Sequence, residues 1–316
     1  MRLQDLHELP KIRDSLGYLY VEHCRIDRED KAIAIHDATG LTPVPCASLA
    51  LLMLGPGVKI THAAILTLAD TGCLVAWVGE ESVRFYAAGT GETRSASRLL
   101  HQARLATRRS TRLQVVRRLY EMRFGEELDP ALTLEQIRGR EGARVRDAYA
   151  RAAAATGVPW QGRNYDRGNW TKADPVNRAL SCANSCLYGL CHAAIVSAGY
   201  SPALGFIHTG KQLSFVYDVA DLYKTVLTVP VAFEVAGADP KPLERAVRHR
   251  CRDTFSQADL LGRVVKDIEY ALSVVPAADD AADLDFDADP AAPGRLWDDQ
   301  TASAPGGVAY GGDQPA

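Results

Sequence analysis

An α+β fold is predicted from three features of this 316-residue chain, with a small β-rich N-terminal domain, a larger α-helical domain and a disordered acidic tail. Up to residue 91 the apolar residues fall in short segments closed by turn formers, as strands do. From Ser95 they recur at spacings of three and four, the period of a helix with one buried face. Beyond Pro276 comes an Ala/Asp/Pro/Gly tail with few large apolar residues. The divisions expected are 1–91, 92–275 and 276–316, and the length suits two compact domains at roughly 150 residues each.

In the first division, LGYLYV, KAIAIH and SLALLML read as strands, the second closed by Asp37-Ala38-Thr39-Gly40 and the third by Gly55-Pro56-Gly57. THAAILTLADTG reads as a short helix capped by Thr61, and CLVAWV with VRFYA as a hairpin turning at Gly79-Glu80-Glu81-Ser82. In the second division Leu99, Leu100, Ala103, Leu105, Ala106, Leu113, Val116 and Leu119 mark a helical stretch. Further helices are expected at 133–156, at 176–198 ended by Gly199, at 213–228 ended by Pro230, and at 240–273. The tail has too few apolar residues to offset the entropy of ordering it.

The net charge of −3 conceals a division, because residues 276–316 hold nine Asp and one Arg while the rest has 35 Lys+Arg against 30 Asp+Glu. A basic body is compatible with a polyanionic partner, which feels the local field. The repelling tail is expected to avoid DNA and to use Leu296 and Trp297 as an apolar anchor on a protein. Seven cysteines without a CxxC pair point to a reducing compartment. With no cationic leader before an apolar stretch and no apolar run near 18 residues, the chain reads as soluble and cytoplasmic, with no membrane partner.

Nine arginines (94, 98, 104, 108, 109, 112, 117, 118 and 123) face a single acid, Glu121, between Arg94 and Arg123. The run is either a phosphate-facing surface or a set of pairs with a subunit or with acids such as Glu126 and Glu127. In GFIHTGKQLSFVYDVADLYK (205–224), helical spacing puts Tyr217, Asp221 and Lys224 on one stripe with Asp218 beside Asp221. A surface ion pair accounts for those four. His208, in the glycine-flanked turn upstream, adds an imidazole and makes a divalent-metal site possible in chemistry. Glu141 in RGREGARVRDAY (138–149) either pairs locally with Arg138 or Arg144 or completes that site as a further carboxylate. Cys182, Cys186, Cys191 and His192 are read as core packing around a helix and not as a zinc site. GVPWQGRNYDRGNW (157–170) mixes aromatics with Arg163 and Arg167, as phosphate and base contacts require and as an ordinary loop also allows. No P-loop, GxGxxG or GxSxG is present.

Three motifs in order, GREGARVRDAY, NRALSCANSCLYG (177–189) and GFIHTGKQLSFVYDVADLYK, resemble the CRISPR-associated endonuclease and integrase family Cas1, above all its type I-E branch, from about Leu9 to Leu272. The resemblance implies an N-terminal β domain and a helical catalytic domain. It implies Glu141, His208 and Asp221 as ligands of Mg²⁺ or Mn²⁺, with Asp218 and Lys224 beside them as catalytic residues. DNA contacts are implied at Lys59, Arg84, Arg163, Tyr165, Tyr188, Lys211, Tyr217, Arg245 and Arg248. Two positions depart from the pattern: His23 stands where type I-E relatives place a tyrosine that wedges the duplex end open, and Leu66 replaces a basic residue.

The activity implied is insertion of a short double-stranded DNA fragment into CRISPR repeat DNA, each 3′-hydroxyl attacking a repeat phosphodiester, without a covalent enzyme intermediate. The partners implied are a second copy of the chain and the small companion Cas2, with two homodimers per integration complex. Two other readings stay open on sequence: a non-catalytic DNA-binding scaffold, and a metal-dependent nuclease of branched repair intermediates.

Overall fold

The computed structural model describes residues 18–30, 32–46, 49–80, 84–89, 96–163 and 174–274. The expected α+β architecture is present, strands first and helices after. The tail, Tyr165, Leu296 and Trp297 lie outside the described residues.

Two four-stranded sheets form the β-rich part. In the first, β1 (Tyr18–Val21), β5 (Leu51–Leu54) and β7 (Leu74–Val78) run parallel, and β8 (Phe85–Gly89) returns antiparallel to β7. All four residues of β5 are buried, which is why its sequence is an unbroken apolar run and not an alternating one. The second sheet has the order β4 (Gly40–Pro45), β3 (Ala32–Asp37), β2 (Arg25–Glu29) and β6 (Lys59–Ile60). Thr61 caps α1 (His62–Asp70) as expected, its side chain accepting from the Ala64 N–H at 3.4 Å. Ile26, Ile33, Ile35, Leu52, Leu54 and Leu68 make the core shared by the sheets and α1. Strand β4 was not marked by the sequence, because Pro43 and Pro45 argue against a strand; as an outer edge paired only with β3 it tolerates both.

The helical part is built around α5 (Pro175–Ser197), capped by Asp174 and packed against α6 (Ser214–Ala220), α7 (Val229–Ala238), α8 (Leu243–Gln257) and α9 (Leu260–Leu272). By length and composition α5 could cross a membrane, but most of its apolar window is buried inside the protein. Before it come α2 (Ser97–Thr107), α3 (Arg109–Phe124) and α4 (Leu134–Thr156), the last begun by a reciprocal Thr133/Gln136 capping box.

Two expected helices divide differently. The one expected at 213–228 stops at Ala220 and resumes as a π-helical turn, Lys224–Thr228, that runs directly into α7. Pro230 therefore sits in the first turn of a helix, where a missing N–H costs nothing, and does not end one. The segment expected at 240–273 breaks at Asp259, whose φ of +43° no helix accommodates, to give α8 and α9.

Candidate active site

The turn 201–210 that carries His208 is fixed from beneath. Gln102 of α2 is fully buried, donates to the carbonyls of Ser201 (3.0 Å) and Leu204 (3.1 Å), and accepts from the Ser201 N–H (2.8 Å). Arg112 of α3 donates to the carbonyls of Gly205 (3.2 Å) and Phe206 (2.8 Å). From the other side Asp218, with no exposed surface, accepts from the backbone N–H groups of Ile207 (3.0 Å) and His208 (2.8 Å) and also of Phe206. Its Oδ1 meets His208 Nδ1 at 2.7 Å. A carboxylate only accepts, so Nδ1 carries the hydrogen and Nε2 presents its lone pair on the opposite side of the ring.

That side holds Asp221, whose Oδ2 lies 3.9 Å from His208 Nε2 and whose Oδ1 is 2.6 Å from Lys224 Nζ. Burial disfavours the charge of Lys224, but Asp221 and the Tyr188 hydroxyl outweigh it, and its pKa is raised. Glu141 of α4 is gripped by the fork of Arg144, at 2.8 and 3.1 Å, and Arg144 also donates to Thr225 at 2.9 Å. Behind both acids stands Arg123 of α3, its side chain 3% exposed, 3.7 Å from Glu141 and 3.3 Å from Asp221. Tyr217 meets His208 and Tyr188 edge-on at 5.8 and 5.1 Å, and Lys224 Nζ lies 4.8 Å from the centre of the Tyr188 ring.

Glu141, His208, Asp218, Asp221, Lys224, Tyr188 and Tyr217 are thus brought together. One expectation is corrected: Asp218 does not share the exposed face with Asp221 and Lys224. It turns inward, because the three N–H groups of the 206–208 turn need an acceptor there. Among the described residues, no three His, Cys, Asp or Glu side chains already surround one point. The acids are held by arginine and lysine instead.

The other expected contacts spread outward. Lys211 is exposed in the turn before α6. Arg163 is tied to Asn177 and Ser181 at the start of α5. Arg245 is exposed on α8, whereas Arg248 is partly buried and pairs with Glu80 at 2.7 Å across to the β-rich part. Lys59 and Arg84 are exposed there, with Leu66 on α1, and His23 occupies a turn with φ +49°. These last positions do not join the cluster around Asp221.

Among the described residues, part of the arginine run makes contacts within the helical part. Arg98 pairs with Glu269, Arg117 donates to the carbonyls of Leu132 (2.9 Å) and Asp129 (2.6 Å), and Arg118 donates to that of Tyr270 (3.0 Å). With Arg112 and Arg123 they fasten α2 and α3 to the rest of the helical part, while Glu126 pairs with Arg140. Arg109, Arg112, Arg117 and Arg138 also line a cleft of about 700 Å³ beside the His208 turn. Sequence reasoning missed Gln102 and the inward role of Arg112 and Arg123, for which the only signal was the excess of arginine over acid, whereas the Glu141–Arg144 pair is one of the local pairings it offered. Cys182, Cys186 and Cys191 are buried free thiols, and burial pushes the His192 imidazole down to about 4 as it stacks on Phe85 at 3.9 Å. This is core packing, as expected.

Gly205 tests how tightly the turn is specified. A Cβ there would stand 2.4 Å from the His208 carbonyl oxygen and 2.8 Å from the Ser214 carbonyl carbon, both backbone atoms that cannot step aside. Gly205→Ala is expected to displace His208 and to reduce activity by about a hundredfold, the order of the cost of misplacing a reacting group by an ångström. Thermal unfolding of the same variant should show a cooperative transition.

A β-rich unit leading into a helical unit, with an oriented imidazole, acids and a lysine beside an arginine-lined cleft, is the framework of an enzyme acting on nucleic acid. The chain belongs to the Cas1 family of CRISPR-associated endonucleases. The family model described as CRISPR associated protein Cas1 matches residues 121–239. A CRISPR-associated endonuclease Cas1 of Thermus thermophilus is 55% identical over 312 residues, 99% of this chain and 95% of that one. One from Escherichia coli is 45% identical over 269 residues, 85% of this chain and 88% of the relative. Among solved structures, a crystal structure of a TtCas1–DNA complex covers 84% of this chain and all of its own, with a TM-score of 0.78 at 56% identity. A CAS1 protein from Thermotoga maritima shares the fold, with a TM-score of 0.56 at 13% identity over 81% of this chain and 96% of its own.

Proposed function

We propose that the chain is a divalent-metal-dependent DNA integrase of the type I-E kind, inserting new spacers into a CRISPR array in the cytoplasm together with Cas2, as two homodimers bridged by the companion. The observation that carries the reading is that Glu141 and Asp221 share Arg123, at 3.7 and 3.3 Å, while His208 Nε2 lies 3.9 Å from Asp221, all beside a lysine and two tyrosines. Two carboxylates and a neutral imidazole are a donor set that suits Mn²⁺ or Mg²⁺. Glu141, Asp221 and His208 would hold the ion, the acids exchanging part of their contact with Arg144 and Lys224 for it. When bound, such an ion lowers the pKa of an attacking hydroxyl and stabilises charge on the pentacoordinate phosphate.

The protein's own residues do the rest. Asp218 keeps His208 in one tautomer and one orientation. Lys224, kept charged by Asp221, offsets negative charge on the phosphate. Tyr188 and Tyr217 offer ring edges and hydroxyls against which a strand end can be placed. Arg163, Lys211 and Arg245, with Lys59 and Arg84 on the β-rich part, supply contacts to phosphates that carry affinity without sequence preference.

The test is an integration assay with purified chain, Cas2, a pre-cut fragment bearing free 3′-hydroxyls and a cognate array. Strand transfer is expected with Mn²⁺ or Mg²⁺ and none in chelator, while fragment binding persists in both. Binding without transfer under every metal condition would favour the scaffold reading. Cleavage of branched DNA with no insertion would favour the repair nuclease.

A further inference from the structure

Arg123 is the one fully enclosed cation of the site. Its guanidinium stands behind Glu141 (3.7 Å) and Asp221 (3.3 Å), donates to the Asp218 carbonyl oxygen at 3.3 Å, and lies 5.1 Å from the centre of the Tyr120 ring. Its Nε is buried with no hydrogen-bond partner. A buried charge placed with one donor unused is costly, and a salt bridge of that kind is weak evidence of stabilisation by itself. The position is explained if the charge is wanted for the acids.

Glu141 and Asp221 share this one guanidinium, at 3.7 and 3.3 Å, and two carboxylates so placed would repel each other and move apart without it. Arg144 and Lys224 are partly exposed, on flexible chains that can swing to solvent or substrate. Arg123 cannot swing, since Tyr120 and the Asp218 carbonyl fix it and its surroundings leave no room. We propose that Arg123 is a positioning residue that acts as a resident cation: it bridges Glu141 and Asp221 and keeps them in place while no divalent ion is present, and stays when one arrives. Its permanent charge then weakens the hold on the ion, so that the metal exchanges and does not become a locked structural element. The inference rests on the metal reading above and deepens it.

The experiment measures Mn²⁺ affinity by calorimetry and thermal stability with and without Mn²⁺, on the full chain and three variants. Arg123→Met removes the charge at similar length. Its unloaded form should unfold at a lower temperature than the parent, Mn²⁺ should raise that temperature by more than it does for the parent, and Mn²⁺ should bind about tenfold or more tightly, because one opposing charge a few ångströms away is gone. Arg123→Lys keeps the charge without the fork and should bind Mn²⁺ as the parent does. Equal or weaker Mn²⁺ binding by a folded Arg123→Met would overturn the proposal, as would loss of binding in Arg123→Lys. If Arg123→Met does not fold even with Mn²⁺, the double variant Arg123→Met/Asp221→Asn decides, since deleting both charges should restore folding and failure to do so would overturn the idea. A parent that binds no Mn²⁺ would remove the metal reading and this inference together.

Discussion

Replacing Asp221 with Ala is expected to reduce strand transfer to background while DNA affinity stays within a few-fold, because the phosphate contacts proposed above are spread over both parts of the molecule and do not include Asp221. Asp221 has three titratable or charged neighbours in the site: Lys224 at 2.6 Å, Arg123 at 3.3 Å and His208 at 3.9 Å. On the proposed metal reading its loss removes an anionic oxygen ligand that a hard cation requires, and it frees Lys224 from its place. Glu141→Ala should be equally severe, whereas His208→Ala should be partly restored by Mn²⁺, which accepts mixed oxygen and nitrogen ligands. Because Asp221 also offsets the buried Arg123, Asp221→Asn belongs in the comparison, keeping shape while removing charge. Full metal-dependent integration by a folded Asp221→Asn protein would contradict the assignment.

The second large effect is expected at Asp218, by a different route. Asp218→Asn keeps the size but exchanges one acceptor oxygen for an N–H₂ group, in a place where four donors converge: three backbone N–H groups and His208 Nδ1. At least one donor must lose its partner, at a cost of about 1–3 kcal/mol in stability measured by denaturant titration. His208 also loses the group that fixes its tautomer, for which a fall of about 10–100-fold in activity is expected. Unchanged activity in a destabilised variant would show that Asp218 only supports the turn.

The strength of the sequence lay in local chemistry. Thr61 as a cap, the Asp37–Gly40 turn, the β7–β8 hairpin and the helix from residue 134 are each decided within a few residues, and the motifs around Glu141 and His208 stand out as uninterrupted strings. What could not be read were partnerships between distant segments. Arg123 and Asp221 are almost a hundred residues apart, and nothing near Arg123 says that it faces inward while Arg108 and Arg109 face solvent. Asp218 was placed beside Asp221 by helical spacing alone. Its direction is set by three unsatisfied N–H groups on another turn, which is tertiary information. Strand β4 was obscured by two prolines whose compatibility depends on its being an outer edge, a fact about the sheet.

The π-helical turn at Lys224–Thr228 has a consequence for tolerance to change. It places one more residue in the turn than an α-helix would, between the acid–lysine pair and α7, and Thr228 fastens it to α5 through Asn184 at 2.8 Å. Because the wider turn already absorbs the extra residue, deleting one residue there would let the backbone close into regular helix while Asp221 and α7 keep nearly the same relative direction; what such a deletion shifts is the set of anchors, Thr225 to Arg144 and Thr228 to Asn184. Substitutions at the exposed Val226 can be absorbed, whereas Thr225 and Thr228 are tied by their hydroxyls to Arg144 and Asn184, so in this stretch of the chain it is the identity of the anchoring residues, more than length, that is under constraint.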